Sequence, residues 1–166
     1  HMSIDYNGIL CPCGSRGCLE LYASGTAMNR RMRSDCEKKI PSSLFAGTGY
    51  DPDRINGALL GKAAKENDAY ALEFFRQEGR YLGAGLANLF NLFDPDVIVL
   101  GGGVTKSAEF FEEEMLAEVN RRSCLPVARE RIRFSELNDR VTLYGAYFLI
   151  NDYLQEEGGA GRERKE

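Results

Sequence analysis

Residues 69–103 restrict the fold of this chain most, because a long periodic segment leads into an apolar run and three glycines. In "AYALEFFRQEGRYLGAGLANLFNLF" apolar side chains recur every three to four residues, the spacing of one helix face. The "DP" that follows ends the helix, since proline disfavours helical backbone at the preceding residue. "VIVL" then predicts a strand buried on both faces. Helix, strand and glycine turn together predict an α/β fold.

Capping residues and periodicity predict the remaining elements. Before the long helix they are a helix over 24–36 capped by Ser24 or Thr26, a loop over 38–57 and a short helix in "INGALLGKAAKE". After the glycines they are a helix capped by Ser107, a strand in "RERIRFSEL" and an apolar helix in "VTLYGAYFLINDYL". Within the long helix, Gly79, Gly83 and Ala87 recur every four residues, where another backbone can approach closely. Residues 155–166 are charged and rich in glycine, which predicts a disordered tail.

A cluster of thiols occupies "CPCGSRGC", which holds three of the five cysteines within eight positions. Gly14 and Gly17 allow a tight loop, so the thiolates of Cys11, Cys13 and Cys18 can reach one tetrahedral ion. The fourth ligand would be His1, the only histidine, brought back by a turn at "DYNG". An alternative origin for this histidine is a cloning remnant, since "HM" often remains at the start of expressed chains.

Two other uses of the cysteines fit the sequence less well. A disulfide framework is disfavoured by the odd number of cysteines and by the lack of an export signal. A redox pair at Cys11 and Cys13 lacks the usual CxxC spacing and leaves Cys18 without a role. The cluster therefore favours a metal knuckle.

Length and charge narrow the class of protein. A chain of 166 residues suits one domain, and its net charge of −4, with basic residues scattered among acids, is not the basic surface typical of nucleic-acid binding. No apolar run reaches the roughly 18 residues that a membrane span needs, and the start does not resemble a signal peptide. We therefore expect a cytoplasmic protein that binds no membrane and, judged by its charge alone, no nucleic acid.

Three motifs, in this order, resemble the ROK family of sugar kinases and sugar-responsive repressors: HxxIDxxGxxCxCGxxGCLE, "YASGTA" and "NLFDPDVIVLGGGV". The resemblance implies the C-terminal lobe of the actin-like ATPase (ribonuclease H-like) fold, incomplete at its N-terminus. It divides this partial lobe, residues 1–154, into a zinc knuckle (1–20), a helical segment (24–93) and a nucleotide-side α/β unit (96–154), followed by the tail over 155–166.

The resemblance also assigns site residues. It implies that His1, Cys11, Cys13 and Cys18 bind zinc, that His1 and Glu20 contact sugar hydroxyls, and that Gly101, Gly102 and Gly103 lie against the adenosine of ATP. From the residues alone, an acid in the first turn of a helix is the favoured interpretation of Glu20. The triple glycine alone is a weak motif that a tight turn between strand and helix also explains.

Three family motifs are absent from this sequence: a DxGGT-like phosphate loop, the aspartate that acts as general base, and all of the ExGH motif except its final histidine, which would be His1. The chain thus has no predicted catalytic residue and is expected to be inactive alone. The resemblance implies the C-terminal portion of a glucokinase-like hexose kinase that uses ATP and Mg²⁺ and forms homo-oligomers. The alternative is the sugar-sensing domain of a ROK repressor; "ASGTAMNRR" favours the kinase.

Overall fold

A computed structural model of the protein describes residues 1–137 and 140–160. Within these ranges the helices and strands are, in chain order, α1 (Glu20–Ala23), α2 (Gly25–Glu37), α3 (Ser43–Gly47), α4 (Gly57–Lys65), α5 (Ala69–Phe93), β1 (Ile98–Leu100), α6 (Glu112–Arg122), β2 (Ile132–Phe134) and α7 (Val141–Ala160). The α/β class predicted from the sequence agrees with this order of elements.

Helix α5 is the central element of the core. It begins after Asp68, whose side chain accepts a hydrogen bond from the Ala71 N–H, and ends at Asp94 in a left-handed conformation. A Cβ atom on Gly79 would lie 2.6 Å from the Phe111 carbonyl oxygen, and one on Gly83 would lie 2.6 Å from that of Met115. Glycine at these positions therefore lets α6 pack directly on α5, as the spacing predicted.

The two strands form a parallel pair joined by a crossover that contains α6. Ile98, Val99 and Leu100 of β1 pair with Ile132, Arg133 and Phe134 of β2. The prediction that this strand is buried on both faces is wrong for the described chain, because Val99 is 58% exposed. Ile98 and Leu100 pack against the core, whereas the opposite face of the strand is open.

The capping prediction holds for one helix and fails for another. The Ser24 side chain accepts a hydrogen bond from the Ala27 N–H, so Ser24 caps α2. Ser107 caps no helix, because the chain from Gly103 to Phe110 forms a 3₁₀ turn and α6 starts only at Glu112. The physical reason is aromatic packing: Phe110 and Phe111 stack near Phe75 of α5, so the chain turns before α6 can begin.

The segment 38–57, predicted as a loop, contains helix α3 and a 3₁₀ turn at Pro52–Arg54. Ser42 caps α3 by accepting a hydrogen bond from the Leu44 N–H. Asp68 accepts a second one from the Ser43 N–H at 2.6 Å. Because Asp68 also caps α5, one carboxylate joins the starts of two helices, a contact between distant residues that local patterns do not reveal.

Helix α7 is confirmed as an apolar helix but is not part of the core. Its side chains from residue 142 to residue 155 are all exposed except that of Asn151, which is half-buried. The helix continues to Ala160, beyond the predicted start of the tail at residue 155. Residues 161–166 of that predicted tail lie outside the described residues.

The hydrophobic core lies between α2, α3, α4, α5, α6 and the inner face of the strand pair. Its fully buried members include Met32, Phe45, Leu60, Phe75 and Met115. Among the described residues, no helix combines the length and the apolar character that a membrane crossing requires.

Candidate functional site

The loop of the cysteine cluster is folded by short antiparallel contacts. Ile4 N–H donates to the Gly17 carbonyl at 2.8 Å, and Leu19 N–H donates to the Met2 carbonyl at 2.8 Å. These bonds lay the start of the chain beside Cys18. The predicted turn at "DYNG" is present, with the Gly8 N–H donating to the Asp5 carbonyl at 3.0 Å.

This backbone brings the four predicted ligands together. The ligand atoms of His1, Cys11, Cys13 and Cys18 all lie within 4.8 Å of one another. His1 Nδ1 is 3.5 Å from the Cys11 Sγ, and the Sγ atoms of Cys13 and Cys18 are 3.6 Å apart. All five cysteines of the chain are free thiols, so the cluster contains no disulfide.

These separations fit a tetrahedral zinc site. With Zn–S bonds of about 2.3 Å, two thiolates in a tetrahedron lie about 3.8 Å apart, and a thiolate and an imidazole nitrogen about 3.5 Å apart. Three sulfurs and one nitrogen are also the donor set that zinc prefers over magnesium or calcium. The knuckle can therefore hold zinc with little rearrangement.

The thiols of the knuckle differ in acidity before any metal binds. A backbone hydrogen bond from Ser15, together with the neighbouring Cys11 side chain, lowers the pKa of Cys13. Burial raises the pKa of Cys18 to about 11. A bound divalent cation would favour the thiolate form at both positions, because metal coordination deprotonates a thiol.

Glu20 lies next to the knuckle and faces its histidine. The Oε2 atom of Glu20 is 4.0 Å from His1 Nε2, while His1 Nδ1 faces Cys11. The imidazole thus lies between the thiol cluster and the carboxylate, and both side chains are more than half exposed. Glu20 is also the first residue of α1, so the interpretation as an acid at a helix start remains open. That helix has only four residues.

The three glycines lie at the carboxyl end of β1, where ligands of α/β sheets usually bind. Gly102 has a φ of +98°, which favours glycine and supports the interpretation as a tight turn. At Gly103, a Cβ atom would meet nothing within 4 Å. No packing within the described chain requires glycine there, so that position is open to a ligand. The predicted α-helix start does not follow the glycines directly, because α6 begins at Glu112.

A cavity of about 290 Å³ opens beside Gly103. It is bounded by the first residues of two helices, Gly25 of α2 and Gly57 of α4, and by Ser107 of the 3₁₀ turn. Backbone N–H groups at helix starts favour anions. The cavity therefore combines a glycine surface with two helix N-termini, a combination that suits a nucleotide.

Several residues near the knuckle and the cavity could not be recognised from the sequence. Tyr22, buried under the knuckle, was not singled out, although a buried tyrosine hydroxyl requires a hydrogen-bond partner. Gly25 and Gly57 follow recognisable caps, Ser24 and Asn56, but their approach to Gly103 depends on the tertiary fold.

Comparison with known proteins identifies the family. Residues 1–153 match the ROK family, which is more than half of the chain. The chain belongs to the ROK family. The matched residues include the knuckle, the "YASGTA" segment and the triple glycine, on which the resemblance was recognised.

ROK relatives include enzymes and regulators. The glucokinase of Streptomyces coelicolor is 37% identical over 111 residues, which cover 66% of this chain and 35% of the relative. The xylose repressor of Bacillus subtilis is 38% identical over 122 residues, covering 74% of this chain and 28% of the relative. The chain therefore spans about a third of the length of these relatives.

Solved ROK structures share the fold. A ROK family glucokinase from Streptomyces griseus, in complex with glucose and AMPPNP, superposes with a TM-score of 0.75 at 33% identity, covering 90% of this chain and 49% of that one. A ROK family transcriptional regulator, a homologue of the E. coli MLC protein, gives a TM-score of 0.69 at 30% identity, covering 81% of this chain and 32% of that one.

Proposed function

We propose that this chain is the C-terminal portion of an ATP-dependent hexose kinase of the glucokinase type. The observation that carries the proposal is the open cavity beside Gly103 at the end of β1. A sugar site is needed by a kinase and by a sugar-responsive repressor alike, whereas a nucleotide site is needed by the kinase. The relative from Streptomyces griseus, solved with glucose and AMPPNP, supports this choice.

In this proposal the metal is structural zinc, held by His1, Cys11, Cys13 and Cys18. The bound ion would fix the loop that precedes Glu20 and so hold its carboxylate in place. Glu20 would accept hydrogen bonds from two vicinal sugar hydroxyls, and the Nε2 side of His1 would contact a hydroxyl as well. The separation of 4.0 Å between Glu20 Oε2 and His1 Nε2 lets both groups reach one sugar.

Gly101, Gly102 and Gly103 would lie against the adenosine, because the open space at Gly103 allows a nucleotide to approach the backbone. When bound, ATP and Mg²⁺ supply the phosphoryl group that is transferred to a sugar hydroxyl. The general base and the first phosphate loop would belong to the upstream part of the longer protein. The isolated chain is therefore expected to bind ligands weakly and to transfer no phosphoryl group.

Two exposed surfaces support the proposal that the lobe is incomplete. The open face of β1 at Val99 and the apolar side chains of α7 are surfaces that further chain would cover. We also infer a cytoplasmic protein, since free thiols suit a reducing compartment. The homo-oligomer is part of the proposal because the resemblance to the family implies it.

The test uses the longer protein that contains this chain, assayed for ADP release with glucose and other hexoses. Glu20→Gln should lower kcat/KM for glucose by about 10- to 100-fold, the cost of losing a charged hydrogen-bond acceptor, and leave the KM for ATP unchanged. Gly103→Val should raise the KM for ATP and leave that for glucose unchanged. Glu113→Gln, on the exposed surface of α6, is the matched control.

The second candidate is the sugar-sensing domain of a ROK repressor, favoured by the 38% identity with the xylose repressor of Bacillus subtilis. Upstream sequence separates the two candidates: a DxGGT-like motif indicates the kinase, and a basic helix-turn-helix indicates the repressor. Absence of hexose phosphorylation, together with DNA binding that a sugar relieves, would replace the kinase proposal with the repressor.

A further inference from the structure

Tyr22 of α1 is buried beneath the loop that leads into the cysteines. Its hydroxyl accepts a hydrogen bond from the Ile9 N–H at 3.0 Å and donates one to the Asp5 Oδ2 at 3.5 Å. The hydroxyl is thus used both as acceptor and as donor. It holds the loop at two points, one on each side of the turn that contains Gly8.

The shape of the loop is fitted to this hydroxyl. A Cβ atom on Gly8 would lie 2.1 Å from the Tyr22 Oη, closer than any side chain allows. The aromatic ring of Tyr22 packs separately, with its centroid 5.0 Å from that of Tyr81 on α5. The ring therefore anchors the side chain to the core, and the hydroxyl reaches the loop.

Backbone bonds link the residues that contact Tyr22 to the metal ligands. Ile9 is two residues before Cys11, and its carbonyl accepts a hydrogen bond at 2.9 Å from the N–H of Gly17, the residue before Cys18. The Tyr22 hydroxyl thus determines the position of Ile9, and Ile9 lies between two of the cysteine-bearing segments. The hydroxyl of Tyr22 bonds to Ile9 and Asp5 rather than to a ligand atom, so its effect would pass through the loop.

We propose that Tyr22 is a positioning residue of the knuckle, whose hydroxyl pre-organises the loop so that His1, Cys11, Cys13 and Cys18 bind one metal ion. This inference rests on the metal site proposed above. Pre-organisation raises affinity because the loop need not be ordered when the ion arrives. Without the hydroxyl, the Ile9 N–H loses its acceptor and the loop gains freedom.

The test compares Tyr22→Phe with the unaltered chain. Zinc affinity is measured by competition with a chromophoric chelator, and Co²⁺ titration reports thiolate coordination through its absorption bands. Tyr22→Phe should weaken zinc binding about tenfold, the lower end of the usual cost of losing an outer-sphere partner. Tyr81→Phe, which removes the hydroxyl from the other ring of this tilted pair, should leave the affinity unchanged.

A purely structural role is separated by thermal unfolding: Tyr22→Phe should lower the unfolding temperature of the metal-free protein only slightly, through its two lost hydrogen bonds, and that of the zinc-bound protein by more. The inference about Tyr22 would be overturned if Tyr22→Phe left zinc affinity unchanged, or if it altered only the unfolding of the metal-free protein. Neither result would contradict the metal site itself. If the unaltered chain binds neither zinc nor Co²⁺, both the metal site and the positioning role of Tyr22 are wrong. This measurement needs no variant.

Gly8→Ala provides a second variant that keeps the tyrosine. The added methyl group must push the loop away from the Tyr22 hydroxyl, so zinc binding should weaken. In the Tyr22→Phe background the nearest clashing atom is gone, so the same substitution should weaken binding by a smaller factor. The proposed role of the hydroxyl would be contradicted if Gly8→Ala lowered zinc affinity by the same factor in both backgrounds. It would also be contradicted if Gly8→Ala alone left the affinity unchanged.

Discussion

Glu78 is a fully buried carboxylate on α5 that pairs with Arg31 of α2. The Arg31 guanidinium also lies over the rings of Phe74 and Tyr81, at 4.4 and 5.0 Å from their centroids. Burial raises the pKa of Glu78 to about 7, although Arg31 acts in the opposite direction. In the described chain, no hydrogen bond reaches the second carboxylate oxygen, Oε1.

This environment predicts a pH dependence of stability. The pKa of Glu78 rises from 4.5 to about 7 on folding, so between these values the folded chain holds a proton that the unfolded chain releases. Stability contributed by the protonated group is present below pH 4.5 and is lost as the pH rises to 7. Relative to the unaltered chain, Glu78→Gln should gain up to about 3 kcal/mol of unfolding free energy across this range.

Urea denaturation at several pH values measures this difference. Glutamine still accepts a hydrogen bond from Arg31 but carries no charge at any pH. Glu113→Gln, an exposed substitution on α6, serves as the control and should follow the unaltered chain at every pH. A constant difference between Glu78→Gln and the unaltered chain from pH 4.5 to 7 would show that Glu78 titrates normally.

Helices α5 and α6 pack closely because Gly79 and Gly83 of α5 carry no side chain. A Cβ atom on Gly83 would lie 2.6 Å from the Met115 carbonyl oxygen and 2.6 Å from the Glu118 Cβ. Gly83→Ala should therefore lower the free energy of unfolding by about 1–3 kcal/mol, because the helices must separate. This is the net loss that remains after the gain of about 1 kcal/mol that alanine normally brings to a helix interior.

Gly145→Ala is the matched control for Gly83→Ala, since both glycines lie inside helices. A Cβ atom on Gly145 would meet nothing within 4 Å, so only the gain in helix propensity remains. Gly145→Ala should thus leave the urea midpoint unchanged or raise it slightly, because α7 lies outside the core, whereas Gly83→Ala should lower it. A stabilising effect of Gly83→Ala would mean that α5 and α6 pack less closely than the structure indicates.

Elements with strong local signals were predictable, and those made by distant contacts were not. The cap at Ser24 and the end of α5 at Asp94 follow from the residues next to them. Helix α3 was missed because Asp68, which accepts the Ser43 N–H, comes 25 residues later. Ser107 was misassigned for a related reason, since the packing of Phe110 and Phe111 on Phe75 delays α6.

Helix α7 gives the molecule an exposed apolar surface that includes Leu143, Tyr147, Phe148 and Ile150. Monomeric proteins seldom leave large apolar patches uncovered. The chain should therefore self-associate, with a sedimentation coefficient that rises with concentration. Replacing Tyr147, Phe148 and Ile150 together by serine should weaken this association more than tenfold, since each buried apolar side chain contributes about 1.5–3 kcal/mol.

The control for α7 replaces apolar residues of similar exposure on other elements. Leu92, Phe93 and Leu125 are 71%, 73% and 70% exposed, and none of them belongs to α7. Their joint replacement by serine should leave the association unchanged. A chain that sediments as a monomer at all concentrations, or an equal effect of both triple variants, would show that α7 is not the associating surface.

Residues that are close along the chain were enough to establish the order of the main elements, the grouping of three thiols in one loop and the α/β class. The folding of distant segments onto one another directs His1 Nδ1 to Cys11 and Nε2 to Glu20, and buries Glu78 beside Arg31. It also leaves β1 with one open face. These features depend on which distant surfaces meet, and local periodicity carries no information about that.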